Sequence, residues 1–130
     1  MSKSKDNVID IFLTDKALRK QIMSIKTDST PLEDPKDWAL CNCFAIYKLL
    51  ASKQELEIMK ENYEAGGYGY GDAKQALFEL ICKKFSFERE RYNHYLAHTK
   101  EVEKILELGA GKAAAAANSV LARVRKKLGY

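Results

Sequence analysis

Nowhere in the chain does an apolar run reach the roughly 18 residues that a membrane helix needs. The N-terminal residues are polar and charged, and no apolar segment of signal-peptide type follows them, so no secretory leader and no membrane span are expected. Cysteine is scarce: only Cys41, Cys43 and Cys82 occur. The number is odd, and Cys41 and Cys43 are too close in sequence to bridge comfortably. Unpaired thiols suit a reducing compartment, and a cytoplasmic protein is expected. The two histidines, His94 and His98, lie far from the cysteine pair, so no zinc ligand set forms and no metal site is expected. Strand-like alternation is missing too, as are a glycine-rich phosphate loop after a strand and any nucleophile–base–acid set.

What remains is a soluble, helical composition. Of the residues, 46% are hydrophobic and 31% charged, which excludes a disordered chain. A length of 130 residues suits one domain with a modest core. The net charge is +4, and its placement matters more than its size. Between Ala110 and Tyr130 stand five bases (Lys112, Arg123, Arg125, Lys126 and Lys127) and no acid. The remaining residues are close to balance, so the excess sits on the last predicted helix. Such a face can meet phosphate or simply keep the chain soluble.

Apolar spacing predicts an irregular all-α bundle of about five helices. Thr14-Asp15 opens the first, with Leu18, Ile22 and Ile25 on its inner face, and Thr27 to Pro31 end it. Asp37 is expected to cap a second helix reaching about Ala51, with Trp38, Cys41, Phe44, Ala45 and Leu49 inward. Ser52 and Glu55 spell a capping box for a third, lined by Leu56, Met59 and Tyr63. Four glycines between Gly66 and Gly71 break the chain. Asp72 then caps a long helix to Leu108 carrying Phe78, Ile81, Phe85, Tyr92, Tyr95, Val102 and Leu106, with a kink allowed near Ser86. Gly109 and Gly111 mark another break. The last helix, Lys112 to about Leu128, carries an inward stripe of Ala113, Ala117, Val120, Val124 and Leu128, with Gly129 as its C-cap.

Four constellations could carry chemistry. Met1-Ser2-Lys3-Ser4 sets a compact ammonium between two small hydroxyls, which suits a polyphosphate but also fits a solvated terminus. Lys26 to Thr30 fits a hydrogen-bonded turn. The loop Gly66 to Gly71, leading to Lys74, offers tyrosines for base stacking and a cation for phosphate. Its tyrosines could equally cover the core. Finally, the charged run Phe87 to Tyr92, with His94 and His98 four apart, reads as a solvated helical face rather than a metal site.

In order, these blocks resemble one family. Met1-Ser2-Lys3-Ser4 is similar to the end of the K-M-S-K-S signature of class I aminoacyl-tRNA synthetases, whose leading lysine has no counterpart here. Ile11-Phe12-Leu13, Lys20-Gln21-Ile22, Thr27-Asp28-Ser29, Tyr47-Lys48-Leu49-Leu50, Tyr63-Glu64, Gly67-Tyr68-Gly69-Tyr70-Gly71, Lys74-Gln75-Ala76-Leu77 and the closing V-R-K-K-L-G resemble bacterial tryptophanyl-tRNA synthetases. The stretch Pro35 to Leu40 departs from that pattern.

The resemblance implies a signature loop and connecting segment at 1–13 and a helical anticodon-binding domain at 14–130. It implies that Lys3 is catalytic, gripping pyrophosphate as charge moves onto it, and that Met1, Ser2, Lys3 and Ser4 line bound ATP. It also implies anticodon contact, placed here at Tyr68, Tyr70 and Lys74. In the family, a Rossmann-like N-terminal domain makes tryptophanyl-adenylate from tryptophan, ATP and magnesium, the enzyme is a homodimer, and the partner is tryptophan tRNA. The first synthetase lysine, the H-I-G-H-type motif and the tryptophan pocket are missing from this sequence. The chain alone is therefore expected to be inactive and to hold no cofactor. Some family members carry an iron–sulfur cluster in this domain, but three cysteines at this spacing do not match a four-thiolate site. The competing expectation is a stand-alone helical module that binds RNA or protein with no ligase role.

Overall fold

The computed structural model describes residues 8–130, which are all-α: six helices and no strand occur among them. They are α1 (Asp15–Met23), α2 (Asn42–Leu50), α3 (Lys53–Ala65), α4 (Tyr70–Lys84), α5 (Ser86–Ala97) and α6 (Thr99–Leu128). The chain divides into two compact units, with the boundary between Arg89 and Glu90.

The first unit is built around α4, which packs on both α1 and α2. Helix α1 has Leu18 and Ile22 on one face, four residues apart, and both are fully buried. Ser24 ends it, its hydroxyl donating to the Gln21 carbonyl at 2.7 Å. Helix α3 starts as its sequence demands. The Glu55 amide donates to Ser52 Oγ at 3.3 Å, and the Ser52 amide donates to the Glu55 carboxylate at 2.8 Å. Together these satisfy two amides that a helix start leaves without partners. The Ser52 amide first, and then the Ser52 hydroxyl donating at 2.8 Å, hold the Glu55 carboxyl below its usual range.

Helix α2 departs from expectation. It begins at Asn42, not near Asp37. The Asp37 carboxylate accepts the Ala39 amide at 2.8 Å and so closes a local turn instead of capping a helix. The buried face shifts accordingly, to Cys43, Phe44 and Tyr47, while Ala45 and Leu49 face solvent.

The expected long helix from Asp72 to Leu108 is three helices. It starts two residues earlier, at Tyr70, with Gly69 as the N-cap. Asp72 serves from the third helical position, its carboxylate accepting the Gly69 amide at 3.1 Å. The chain turns at Phe85 and again at His98. At the first turn, Ser86 Oγ donates to the Lys83 carbonyl at 3.1 Å. At the second, His98 Nδ1 donates to the His94 carbonyl at 2.8 Å, a side-chain bond that competes with helix continuation.

In the second unit the expected break at Gly109 and Gly111 is absent, and α6 runs through both. Each glycine costs a helix only about 1 kcal/mol relative to alanine. Ile105 to Leu108 before them and five alanines after them are strong enough helix formers to carry the segment. Gly129 takes a left-handed φ of 82° and caps the helix, as its position predicts. The stripe expected to be inward is exposed: Val120 is 47%, Val124 44% and Leu128 67% accessible.

Candidate nucleic-acid interface

The glycine–tyrosine loop sits on an aromatic cluster rather than standing away from the body. Tyr63, fully buried, has the Phe44, Tyr68 and Tyr70 rings within 5.9, 5.8 and 6.2 Å of its own. Trp38 extends the cluster through Phe44 at 5.3 Å, and its indole N–H donates to Glu64 at 2.9 Å. Gly66 turns the chain away from α3 at φ 74°, and a Cβ there would collide with the Glu33 carbonyl. Only glycine meets both conditions without strain.

Beneath this loop lies Lys36, which the sequence reading did not single out. It is 4% exposed, and its ammonium donates to the carbonyls of Pro31, Leu32 and Asp34 at 3.0, 3.1 and 3.1 Å. The Tyr70 ring lies 5.6 Å from the same nitrogen. The ammonium has three donors and all are used, which lets a buried charge be tolerated. The loop is tied to α3 by its backbone as well: the Lys36 amide donates to the Tyr63 carbonyl, and the Gly67 amide to the Leu32 carbonyl. A lysine that directly follows Pro35 and precedes Asp37 gives no local signal of such burial.

Of the expected site residues, Tyr70 meets the turn after α1 and Lys74 the last residue of that helix. The Tyr70 hydroxyl donates to the Asp28 carboxylate at 2.6 Å, and Asp28 also accepts the Thr30 amide at 3.0 Å. The Lys26 to Thr30 turn is thus hydrogen-bonded, as read. Lys74 donates to the Met23 carbonyl at 3.1 Å, at the end of α1. Tyr68 is half-buried against Tyr63. The expectations for Met1, Ser2, Lys3 and Ser4 lie outside the described residues. Among the described residues, His94 bonds Glu101 at 2.9 Å and stacks on His98.

Electrostatics follow from this packing. The Tyr70 hydroxyl first, then the Thr30 amide, hold the Asp28 carboxyl below its usual range. Burial pushes the Tyr68 and Tyr70 hydroxyls up to about 12, the Asp28 contact adding to the effect at Tyr70. Tyr63 is raised further by burial and its Cys41 contact, and Tyr47 is raised by burial. Groups whose folded value is raised contribute full stability below the unfolded tyrosine value of about 10 and lose it as pH climbs beyond. Four of the seven tyrosines are therefore expected to resist ionisation until the first unit unfolds. Absorbance of tyrosinate at alkaline pH, read beside circular dichroism, checks this. A single step near pH 10 for all tyrosines with the fold intact would contradict it.

No family profile matches the chain. Its sequence is 45% identical over 129 residues to the tryptophan–tRNA ligase of Campylobacter jejuni, covering 99% of this chain and 40% of that protein. The ligase of Rhodopirellula baltica is 41% identical over the same length. The crystal structure of the Campylobacter jejuni enzyme, complexed with ADP and tryptophan, superposes with a TM-score of 0.96 over 100% of this chain and 41% of that one. The chain matches the C-terminal portion of tryptophan–tRNA ligase. It spans about 40% of the length of these curated relatives. The ligase match runs across both units and includes the stretch Pro35 to Leu40, so the buried Lys36 lies within the matched region. No helix among the described residues is long and apolar enough to cross a membrane.

Proposed function

We propose that this chain is the phosphate-loop and RNA-docking portion of a tryptophan–tRNA ligase, which attaches tryptophan to its tRNA at the expense of ATP. One observation carries the reading: the 45% identity and 0.96 TM-score hold across essentially the whole chain. That extent disfavours an unrelated helical module.

Within this reading, Lys3 places an ammonium on the leaving pyrophosphate, where it helps only as negative charge develops. Ser2 and Ser4 supply small donors beside it, and Met1 lies near the adenosine. The anticodon meets the face where the glycine–tyrosine loop joins the Thr27–Thr30 turn. Tyr68 and Tyr70 offer ring surface there, and the Asp28 bond to Tyr70 holds the second ring in place. Lys74 exchanges its Met23 carbonyl for RNA oxygens or acts by charge alongside that bond. Among the described residues no group of three or more His, Cys, Asp or Glu side chains is placed to hold a metal ion. The remaining ligase portion supplies the tryptophan and ATP pockets and the dimer contacts, and the protein acts in the cytoplasm.

The test is titration of the purified chain with tryptophan tRNA at low salt, beside the same tRNA carrying an altered anticodon. Binding that weakens with salt and drops at least tenfold with the altered anticodon is expected. Equal binding of both RNAs would overturn anticodon recognition. The chain alone is expected to show no ATP–pyrophosphate exchange.

A further inference from the structure

We infer that Arg89 is a positioning residue for the proposed reaction: it anchors the segment that carries Lys3 to the helical body. The inference rests on the proposed role of Lys3 in the ligase, but its geometry lies within the first unit. The run Phe87 to Tyr92 reads from the sequence as a solvated face, and its acids Glu88 and Glu90 are exposed. Arg89 between them is not: its side chain is 16% accessible. One terminal nitrogen, Nη2, donates to the Leu13 carbonyl at 3.1 Å and to the Asp15 carboxylate. The other, Nη1, donates to Cys82 Sγ on α4 at 3.8 Å. The planar guanidinium presents its donors as a rigid fork, so one side chain of α5 holds α1, α4 and the segment before α1 in a single arrangement.

The Leu13 bond is the informative one. An ion pair with Asp15 would by itself staple α5 to the start of α1. The Leu13 carbonyl lies ahead of that helix, whose first bond runs from the Leu18 amide to the Thr14 carbonyl at 2.8 Å. Holding it adds nothing to the helix and fixes the chain that enters it. The same segment is held a second time, three residues upstream, where the Asp10 amide donates to Gln21 Oε1 at 2.9 Å. Between the two anchors the chain turns. The Asp10 carboxylate accepts the Phe12 amide at 2.9 Å, and the Asp10 carbonyl accepts the Leu13 amide at 3.3 Å. Ile9, Ile11 and Leu13 pack against the core.

A connector whose only task is to join two segments is ordinarily left to the solvent. This one is fastened by two side chains, and Asp10 stands seven residues after Lys3. Seven residues reach at most about 25 Å when extended, so the place of Asp10 limits where the Lys3 ammonium can act. A misplacement of about 1 Å can cost a reaction about a hundredfold in rate. Lysine in place of Arg89 would keep the charge but offer one point of contact, and would not hold carbonyl, carboxylate and thiol together.

The experiment measures ATP–pyrophosphate exchange by the full-length ligase that carries this portion. Its variants are Arg89→Met, Arg89→Lys, Asp15→Asn, Lys3→Ala and Lys3→Ala combined with Arg89→Met. Circular dichroism verifies that each folds, and Arg89→Lys carries the test where Arg89→Met does not. Both Arg89 variants are expected to lose about tenfold or more in kcat with KM for ATP within about threefold, because the Lys3 contact strengthens only in the transition state. In the Lys3→Ala background, Arg89→Met should cost less than about threefold further, since it acts through that ammonium. Asp15→Asn removes a charge but keeps an acceptor, and should stay within about threefold of the parent. In the chain itself, hydrogen exchange at the Phe12 and Leu13 amides should quicken about tenfold in Arg89→Met relative to the amides of α4. Additive losses at Lys3 and Arg89, or equal losses in Asp15→Asn and Arg89→Met, would overturn the proposal, because a stabilising staple would then explain them. Unchanged kcat in the Arg89 variants, or unchanged exchange at Phe12 and Leu13, would overturn it as well, and both leave the ligase reading standing. Full activity in Lys3→Ala would instead remove the role assigned to Lys3, and the inference with it.

Discussion

Replacing Tyr63 with alanine is expected to destabilise the first unit by about 3–5 kcal/mol, a large share of what a domain of this size has. The residue is fully buried, and three aromatic rings pack on it from α2, the glycine–tyrosine loop and the start of α4. Alanine would open a cavity at the one point all three share, and helices tied down by capping and hydrogen bonds cannot collapse fully into it. The hydroxyl contributes less. It lies 3.3 Å from Cys41 Sγ, a weak bond, so Tyr63→Phe should cost under about 1.5 kcal/mol. Urea unfolding followed by circular dichroism measures both. An alanine variant within 1 kcal/mol of the parent would show that the ring cluster is not the centre of the fold. Because Tyr68 and Tyr70 lean on the same ring, the alanine variant should also lose RNA affinity at urea concentrations where it remains folded.

The second large effect is expected from Lys36→Met, at about 2–4 kcal/mol. Methionine matches the lysine stem closely, so packing survives and the loss reports the charge. Three carbonyls that now share the ammonium, those of Pro31, Leu32 and Asp34, would face each other without a donor. The loop should loosen before the rest of the unit. Fluorescence of Trp38, the sole tryptophan, reports that neighbourhood, and its transition should precede the circular dichroism transition in the variant but coincide with it in the parent. Coincident transitions at an unchanged midpoint would mean that water satisfies the carbonyls and that the buried ammonium is dispensable.

Local signals made much of the fold readable. The Ser52–Glu55 box, the Leu18–Ile22 pair and the Gly129 cap are each specified by residues three or four apart, and each stands where the sequence places it. Errors arose where one side chain had two local uses. Asp37 can cap a helix or close a turn, and only the distant Glu64, bonded to Trp38, accompanies the second choice. Glycine in a helix is a cost rather than a prohibition, so Gly109 and Gly111 misled. The candidate interface was half legible. The spacing of its tyrosines pointed to a surface, but Tyr70 is fixed by Asp28, 42 positions earlier, and Lys74 by Met23, 51 earlier. Lys36 was invisible because its burial depends on α3 and α4 lying over a loop that precedes them both.

That dependence on a later helix has a consequence for biosynthesis. Helix α4 is the element on which α1 and α2 both pack, and it ends at Lys84. At about 5–20 residues per second, a ribosome holds α1 and α2 for seconds before the helix they both pack on has been made. Leu18 and Ile22 spend that interval without α4 against them in the nascent chain, and the first unit condenses only once residues up to Lys84 have cleared the exit tunnel.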